Sequence, residues 1–297
     1  LFFQHQYFSC KVIIFVKILK EHIMRVSLIS AMLMVSFVFS GIAQYKTDWE
    51  KLNLKGKVKN ITTTEYAMDE TEGENNTRIY QYSFNNKGYL TLESLREAMD
   101  TKYTNTYKYN AKNELTEETS QLQKSTSRRK YQYDTKNNTA TINYYVANNN
   151  LITKTIQKYD GSGKMTERTV ENLMGGNKKN KIVESYSFIY DNENRLKEEK
   201  RRIDTTNTTV SYKYDDNGRL IEKTEHDIGG ITTYWSTYQY NEQGDVTEEV
   251  SAFRNYEKTV RKYTYVYGAD GNWTERREQD ESGNTITLSL RELSYYK

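Results

Sequence analysis

A short motif returns about eight times along this 297-residue chain, and that periodicity limits the fold more than anything else in it. The motif runs aromatic, any residue, aromatic, Asp or Asn, two residues, Gly or Asn, any residue, a Leu-like residue, any residue, Glu. The copies are Tyr82-Ser-Phe84-Asn85 with Gly88 and Leu90, Tyr107-Lys-Tyr109-Asn110 with Asn113 and Leu115, and Tyr131-Gln-Tyr133-Asp134 with Asn137. Tyr159-Asp160 with Gly163 and Met165, Phe188-Ile-Tyr190-Asp191 with Asn194 and Leu196, and Tyr212-Lys-Tyr214-Asp215 with Gly218 and Leu220 follow. Tyr238-Gln-Tyr240-Asn241 with Gly244 and Val246, and Tyr265-Val-Tyr267 with Gly271 and Trp273, complete the series. The second aromatics are spaced by 25, 24, 26, 31, 24, 26 and 27 residues, a period typical of stacked supersecondary units.

Each copy reads as a β-hairpin. Asp or Asn opens a type I turn because its side chain accepts hydrogen bonds from backbone amides ahead. Gly or Asn, four residues after the aromatic, tolerates the left-handed conformation that closes the turn. Three loop residues place Leu220 opposite Tyr214 and Glu222 opposite Tyr212. Alternation then puts the Tyr, Leu and Glu positions on one face and Lys108, Gln132, Lys158, Lys164, Arg195, Lys213, Arg219, Gln239 and Thr247 on the other. This is the pattern of a half-buried antiparallel sheet. Two or three large buried side chains cannot offset the backbone entropy of one unit, so neighbours must stack.

The expected fold is therefore all-β: a long antiparallel meander of about eight tyrosine-rich hairpins. Sixteen strands plus a capping strand around Leu54 to Thr64 should twist and curl into an open spiral or partial barrel. The aromatic ladder comprises Tyr82, Phe84, Tyr107, Tyr109, Tyr131, Tyr133, Tyr159, Tyr190, Tyr212, Tyr214, Tyr238, Tyr240, Tyr265 and Tyr267. The glycines that the turns require are Gly88, Gly163, Gly218, Gly244 and Gly271.

Ahead of the array, Met24 to Ala43 combines Arg25, a long apolar run broken by Ser27, Ser30, Ser36 and Ser40, and a small-residue exit at Gly41 and Ala43. It reads as a secretory signal peptide cleaved after Ala43 rather than a membrane anchor. The chain then divides into an upstream, non-native extension (1–23), the signal peptide (24–43), an N-terminal capping segment (44–77) and the hairpin array (78–297).

Lys11, Lys17, Lys20 and Arg25 of the 43 Lys+Arg, and Glu21 of the 40 Asp+Glu, fall before residue 44, which leaves 39 of each sign. That balance speaks against a nucleic-acid partner. The single cysteine, Cys10, also precedes residue 44, so no disulfide, thiolate metal site, cysteine nucleophile or lipid attachment follows. Proline is absent. The mean hydropathy of −0.92 resembles disorder, but regular Tyr, Val, Ile and Leu supply a core.

These residues resemble the YD repeats of the RHS family. Tyr212 to Glu222 matches every fixed position, Tyr131 to Thr141 is the most degenerate copy, and the resemblance spans about residues 78 to 290. It implies a β-sheet that spirals into a shell; in large members the shell encloses a toxin domain. It also implies kinship with shorter exported bacterial proteins often described as surface or sugar-binding. At 254 residues after the leader, this chain is too short to enclose a cargo. Without proline it cannot carry the family's proline-containing self-cleavage motif.

Catalysis finds little support. His226 is the single histidine after the leader and precedes a Gly229-Gly230 turn. Glu117, Glu167, Glu198, Glu222, Glu248 and Glu275 recur once per unit, whereas a glycosidase pair is needed once; they read as cross-strand partners of tyrosines. Asp160, Asp191 and Asp215 read as turn caps, lacking the calcium-loop spacing. Gly161-Ser-Gly163 and Gly175-Gly176 read as turns with no phosphate-loop context. No metal or cofactor is expected.

Trp235, five residues before Tyr240, falls on the polar face beside Thr237 and Gln239, where an exposed ring would serve as a platform for a sugar. The reading is an exported, non-enzymatic binding or scaffold module for a glycan or protein ligand, in the periplasm, at the cell surface or outside the cell, with no membrane insertion after cleavage. A short relative of the toxin-delivery shells is the alternative and a hydrolase a third. An outer-membrane barrel fails because its outer face must be apolar.

Overall fold

The computed structural model describes residues 46–68, 77–97, 100–173 and 183–297. The upstream extension, the signal peptide with its cleavage site, and Gly175-Gly176 lie outside them. A four-residue helix, α1 (Asp48–Lys51), precedes the first strand. The strands are β1 (Val58–Ala67), β2 (Thr77–Phe84), β3 (Leu90–Glu97), β4 (Asp100–Tyr109), β5 (Leu115–Leu122), β6 (Ser125–Asp134), β7 (Thr139–Val146), β8 (Asn150–Tyr159) and β9 (Met165–Asn172). They continue as β10 (Val183–Tyr190), β11 (Leu196–Ile203), β12 (Thr206–Tyr214), β13 (Leu220–His226), β14 (Thr232–Tyr240), β15 (Val246–Phe253), β16 (Thr259–Tyr267), β17 (Trp273–Gln279) and β18 (Thr285–Tyr295).

Strands β2 to β17 are the sixteen strands of the eight motif hairpins, joined as one antiparallel meander. The expected curl goes to completion. β1 pairs with both β2 and β18, and β9 with β10, so the 18-stranded sheet closes on itself. The closing element is β18, which lies beyond the last motif copy. Closure removes the two unpaired edges that an open meander would expose.

Both ends of the described chain tie back onto the sheet, at this seam and at the β14–β15 turn. Thr47 caps α1 through a capping box with Glu50. Asp48 accepts the Leu90 amide at 2.7 Å, Trp49 gives its indole N–H to the Val58 carbonyl at 2.7 Å, and Asn53 gives its amide to the Gln243 carbonyl at 2.9 Å. From the other end, the Tyr296 amide reaches the Lys57 carbonyl at 2.9 Å and its hydroxyl the Phe84 carbonyl at 2.6 Å.

The turns form as the composition implies. In the third-last hairpin the Asp215 amide donates to the Arg219 carbonyl and the Gly218 amide to the Asp215 carbonyl, both at 2.9 Å, with Gly218 at φ +75°. Asp215 Oδ1 accepts the amides of Asn217 at 3.0 Å and Arg219 at 2.8 Å. Asp160 and Asp191 cap their turns in the same way. Gly88, Gly163, Gly244 and Gly271 also have positive φ, as do Asn113 and Asn194. The β6–β7 loop differs. Asp134 pairs directly with Thr139, so the loop has one more residue, and positive φ falls on Asn138 rather than Asn137.

One expectation about the faces is corrected. Tyr214 does pair with Leu220, but Glu222 pairs with Lys213 and Lys223 with Tyr212. Ile221 is a β-bulge. One extra residue shifts the alternation, so every residue after it changes face. The same shift follows Leu90, Leu115, Met165, Leu196, Val246 and Trp273. Where threonine is the bulged residue it holds the partner strand: Thr91 and Thr116 donate to the Ser83 and Lys108 carbonyls at 3.0 Å.

Candidate functional site

The bulge decides which groups line the inner wall. The ladder aromatics point inward and are buried or half-buried, with Tyr82, Phe84 and Tyr159 among the core residues. Opposite them stand not the motif glutamates but the residues one step further: Glu93 faces Tyr82, Glu118 faces Tyr107, Glu199 faces Phe188 and Glu249 faces Tyr238. Glu93 accepts the hydroxyls of Tyr103 and Tyr107, each at 3.0 Å. Glu118 accepts from Tyr131 at 3.2 Å and Arg129 at 2.6 Å, and Glu199 from Arg201 at 2.8 Å. Arg201 lies 3.7 Å from Glu225, and Arg261 pairs with Glu278. The inner wall is thus a belt of tyrosine–carboxylate bonds and ion pairs that no single motif residue announces.

The second aromatic of a unit serves the joint between hairpins. The β13–β14 ladder ends at Glu222 and Thr237, leaving the Leu220 carbonyl beyond it, and the Tyr240 hydroxyl fills that acceptor at 2.6 Å. Tyr109, Tyr133, Tyr190 and Tyr214 bond the Leu90, Leu115, Met165 and Leu196 carbonyls in the same way, at 2.8–2.9 Å. Burial raises the phenols of Tyr190, Tyr214 and Tyr240 to about 12, so they remain protonated donors at neutral pH.

Arg195 and Arg219, expected to be solvated on the outer face, are instead built into this joint. Arg219 bonds Asp215 Oδ2 at 2.7 Å, lies 4.9 Å from the Tyr240 ring centroid and donates to the Asn241 carbonyl at 3.1 Å. Arg195 repeats the arrangement with Asp191, Tyr214 and the Asp215 carbonyl. The cation lies over the next unit's ring because the turn projects it along the sheet rather than away from it.

The outer wall is polar. Lys108–Glu117 and Lys158–Glu167 pair at 2.7 Å, Lys213–Glu222 at 2.9 Å, and Gln239 bonds Glu248 at 2.8 Å. The six recurring glutamates, expected to partner tyrosine hydroxyls, therefore belong to this outer ladder because of the bulge. Trp235 lies between Thr224 and Ala252 and is half-buried; alternation from the inward Ser236 and Tyr238 puts it on the outer wall with Thr237 and Gln239. A shallow groove crosses β9 to β12, and Thr169, Ser185, Ser187, Lys200, Arg202 and Asn207 line its outer side. His226 ends β13, with Nδ1 3.2 Å from the Thr232 hydroxyl. Among the described residues, no three His, Cys, Asp or Glu side chains are grouped as metal ligands would be.

Residues 214–255 match the family described as RHS Repeat. Among solved structures, a porin-like protein from Bacteroides uniformis is 13% identical with a TM-score of 0.45, over 81% of this chain and 99% of that one. The TcdB2-TccC3 structure is 12% identical with a TM-score of 0.32, over 79% of this chain and 17% of that one. The Tc holotoxin pore of Photorhabdus luminescens is 9% identical with a TM-score of 0.18, over 70% of this chain and 19% of that one. The chain therefore spans less than a fifth of those toxin chains. No curated protein sequence matches it.

Proposed function

We propose that this chain, a member of the RHS-repeat proteins, is an exported, non-enzymatic module that binds a glycan or protein ligand on the outer wall of a closed β-barrel. The groove across β9 to β12 carries this reading. Its hydroxyls, amide, the two cations Lys200 and Arg202 and the Glu167 carboxylate suit a hydroxylated ligand, with Trp235 as an aromatic platform elsewhere on the same wall. The sheet supplies a rigid support, because each strand is paired on both sides and six joints between hairpins are tied by a tyrosine hydroxyl bonded to a carbonyl of the preceding unit. The charged pairs of the outer wall are unsuited to lipid, which supports a role away from the bilayer interior.

A glycan array probed with residues 44–297, beside the Lys200→Ala/Arg202→Ala and Trp235→Ala variants, tests the reading. Retention of a glycan that the groove variant loses is the expected result. If no glycan is retained, or if both variants bind as the parent does, the groove is not a glycan site. Export rests on the leader, and mass spectrometry of the native protein should find Gln44 at its start; a retained Met24 would overturn cleavage.

A second reading, a short relative of the toxin-delivery shells, draws on the closed sheet of RHS-type hairpins. Neighbouring genes encoding toxin, immunity or secretion components would favour it over a free-standing binder.

A further inference from the structure

One buried arginine, Arg291, has no partner among the described ion pairs once the inner belt is traced, and Arg276 lies beside it. Arg276 on β17 pairs in register with Ser289, and Arg291, two residues further along β18, points to the same inner face. Elsewhere on this wall buried cations meet acids: Arg201 has Glu199 and Glu225, and Arg261 has Glu278. Here Arg276 meets the Glu65 carboxylate, and Arg291 makes none of the described ion pairs. Arg276 gives Nη2 to Glu65 Oε1 at 3.2 Å and to Ser289 Oγ at 3.3 Å, while its buried Nε has no partner. The Nε of Arg291 is likewise buried and unpartnered, and no described hydrogen bond or ion pair engages any other atom of its guanidinium. That group lies 3.3 Å from the centroid of the Trp273 ring, and the Arg276 guanidinium is 5.5 Å from the same centroid.

Asp245, whose charge also acts on Arg291, is already engaged by the Tyr267 hydroxyl at 2.7 Å and by Asn53 Nδ2 at 3.3 Å. Burial, and then the Arg276 charge, lower the pKa of Arg291 to about 9. It is still a cation at neutral pH, and a buried cation without a counter-ion is unfavourable.

The geometry points to an oxyanion site on the inner wall, in which a carboxylate or phosphate group bridges Arg276 and Arg291 beside Trp273. A planar guanidinium grips either group through two parallel N–H···O bonds, and the free Nε of each arginine supplies such a donor. The site lies at the barrel end that carries the repeat turns, since Trp273 pairs with Tyr267 at the mouth of the last one. It is independent of the outer groove.

Thermal unfolding of the whole chain tests this, in buffers matched for ionic strength with chloride and titrated with inorganic phosphate, glucuronate or glucose. Phosphate or glucuronate should raise the wild-type midpoint saturably, and glucose should not. Arg291→Met should lose that shift and, freed of an unpaired buried charge, melt no lower than the parent in chloride. Arg291→Lys, which keeps the charge without the two-pronged grip, should bind about tenfold more weakly. Arg261→Met should melt lower yet keep the shift. A response to phosphate alone assigns the site to phosphate-bearing ligands, and to glucuronate alone, to carboxylates. The site is refuted if neither anion moves the wild type, or if Arg291→Met and Arg291→Lys both respond as the wild type does. Tryptophan fluorescence supplies a second readout, because a bound anion must disturb the guanidinium stacked on Trp273.

Discussion

Gly88 and Gly218 occupy equivalent turn positions with φ of +87° and +75°, yet their surroundings differ. A Cβ added at Gly218 meets nothing within 4 Å. At Gly88 it would sit 2.6 Å from Trp49 Cε3 and 2.7 Å from Cδ2, closer than carbon atoms approach. Gly218→Ala therefore carries only the cost of an L-residue in the left-handed region, about 1–2 kcal/mol. Gly88→Ala carries that cost and must also displace Trp49, whose indole bond to the Val58 carbonyl is worth about 1 kcal/mol and whose packing is lost with it. The expected total is roughly 3 kcal/mol or more. Urea unfolding followed by circular dichroism measures both variants. In a Trp49→Ala background the Gly88→Ala cost should fall toward that of Gly218→Ala, leaving only the tight contact with Thr47 Cβ at 3.1 Å, which makes the comparison a double-mutant cycle. Equal costs in the wild-type background, or no coupling between residues 88 and 49, would refute the claim that α1 is wedged beneath the first turn.

Tyr240→Phe removes the hydroxyl that satisfies the Leu220 carbonyl and should cost about 1–2 kcal/mol in urea unfolding, whereas Lys213→Ala, on the solvated wall, should cost under about 0.5 kcal/mol. Burial raises the Glu249 carboxyl above its usual range, with Glu278 adding to the shift and Arg261 and Lys223 opposing it. The folded state therefore holds that proton more tightly than the unfolded chain. The contribution is fully present below the unfolded pKa and is lost as pH rises through the folded one, so Glu249→Gln should gain in melting temperature on the wild type between pH 5 and pH 8; a relative loss would contradict the assignment. Gly244→Val forces a β-branched residue to φ +88°, a strain of about 1–3 kcal/mol. Hydrogen exchange should show loss of protection near residues 230–260 with the N-terminal hairpins intact. Uniform loss around the ring would mean that the closed sheet unfolds as one unit.

Much of this architecture is written locally. An Asp or Asn with a Gly or Asn three residues later closes its own turn, and alternating tyrosines choose a face, so eight hairpins and an all-β meander follow from residues 82 to 273 without reference to distant contacts. The glycine and asparagine turn positions were legible for the same reason, except at Asn138, where one additional loop residue moves the left-handed site. The bulge after each Leu-like residue was not legible. Its cost and benefit depend on the partner strand and on a tyrosine hydroxyl from the next unit, and neither is encoded within the hairpin itself. That one residue moved the motif glutamates outward and brought Glu93, Glu118 and Glu199 to the tyrosines. Ring closure by β1 and β18 joins segments more than two hundred residues apart and outside the motif. The proximity of Arg276 and Arg291 is equally a product of the tertiary structure, because only the registered inner wall brings both guanidiniums to Trp273.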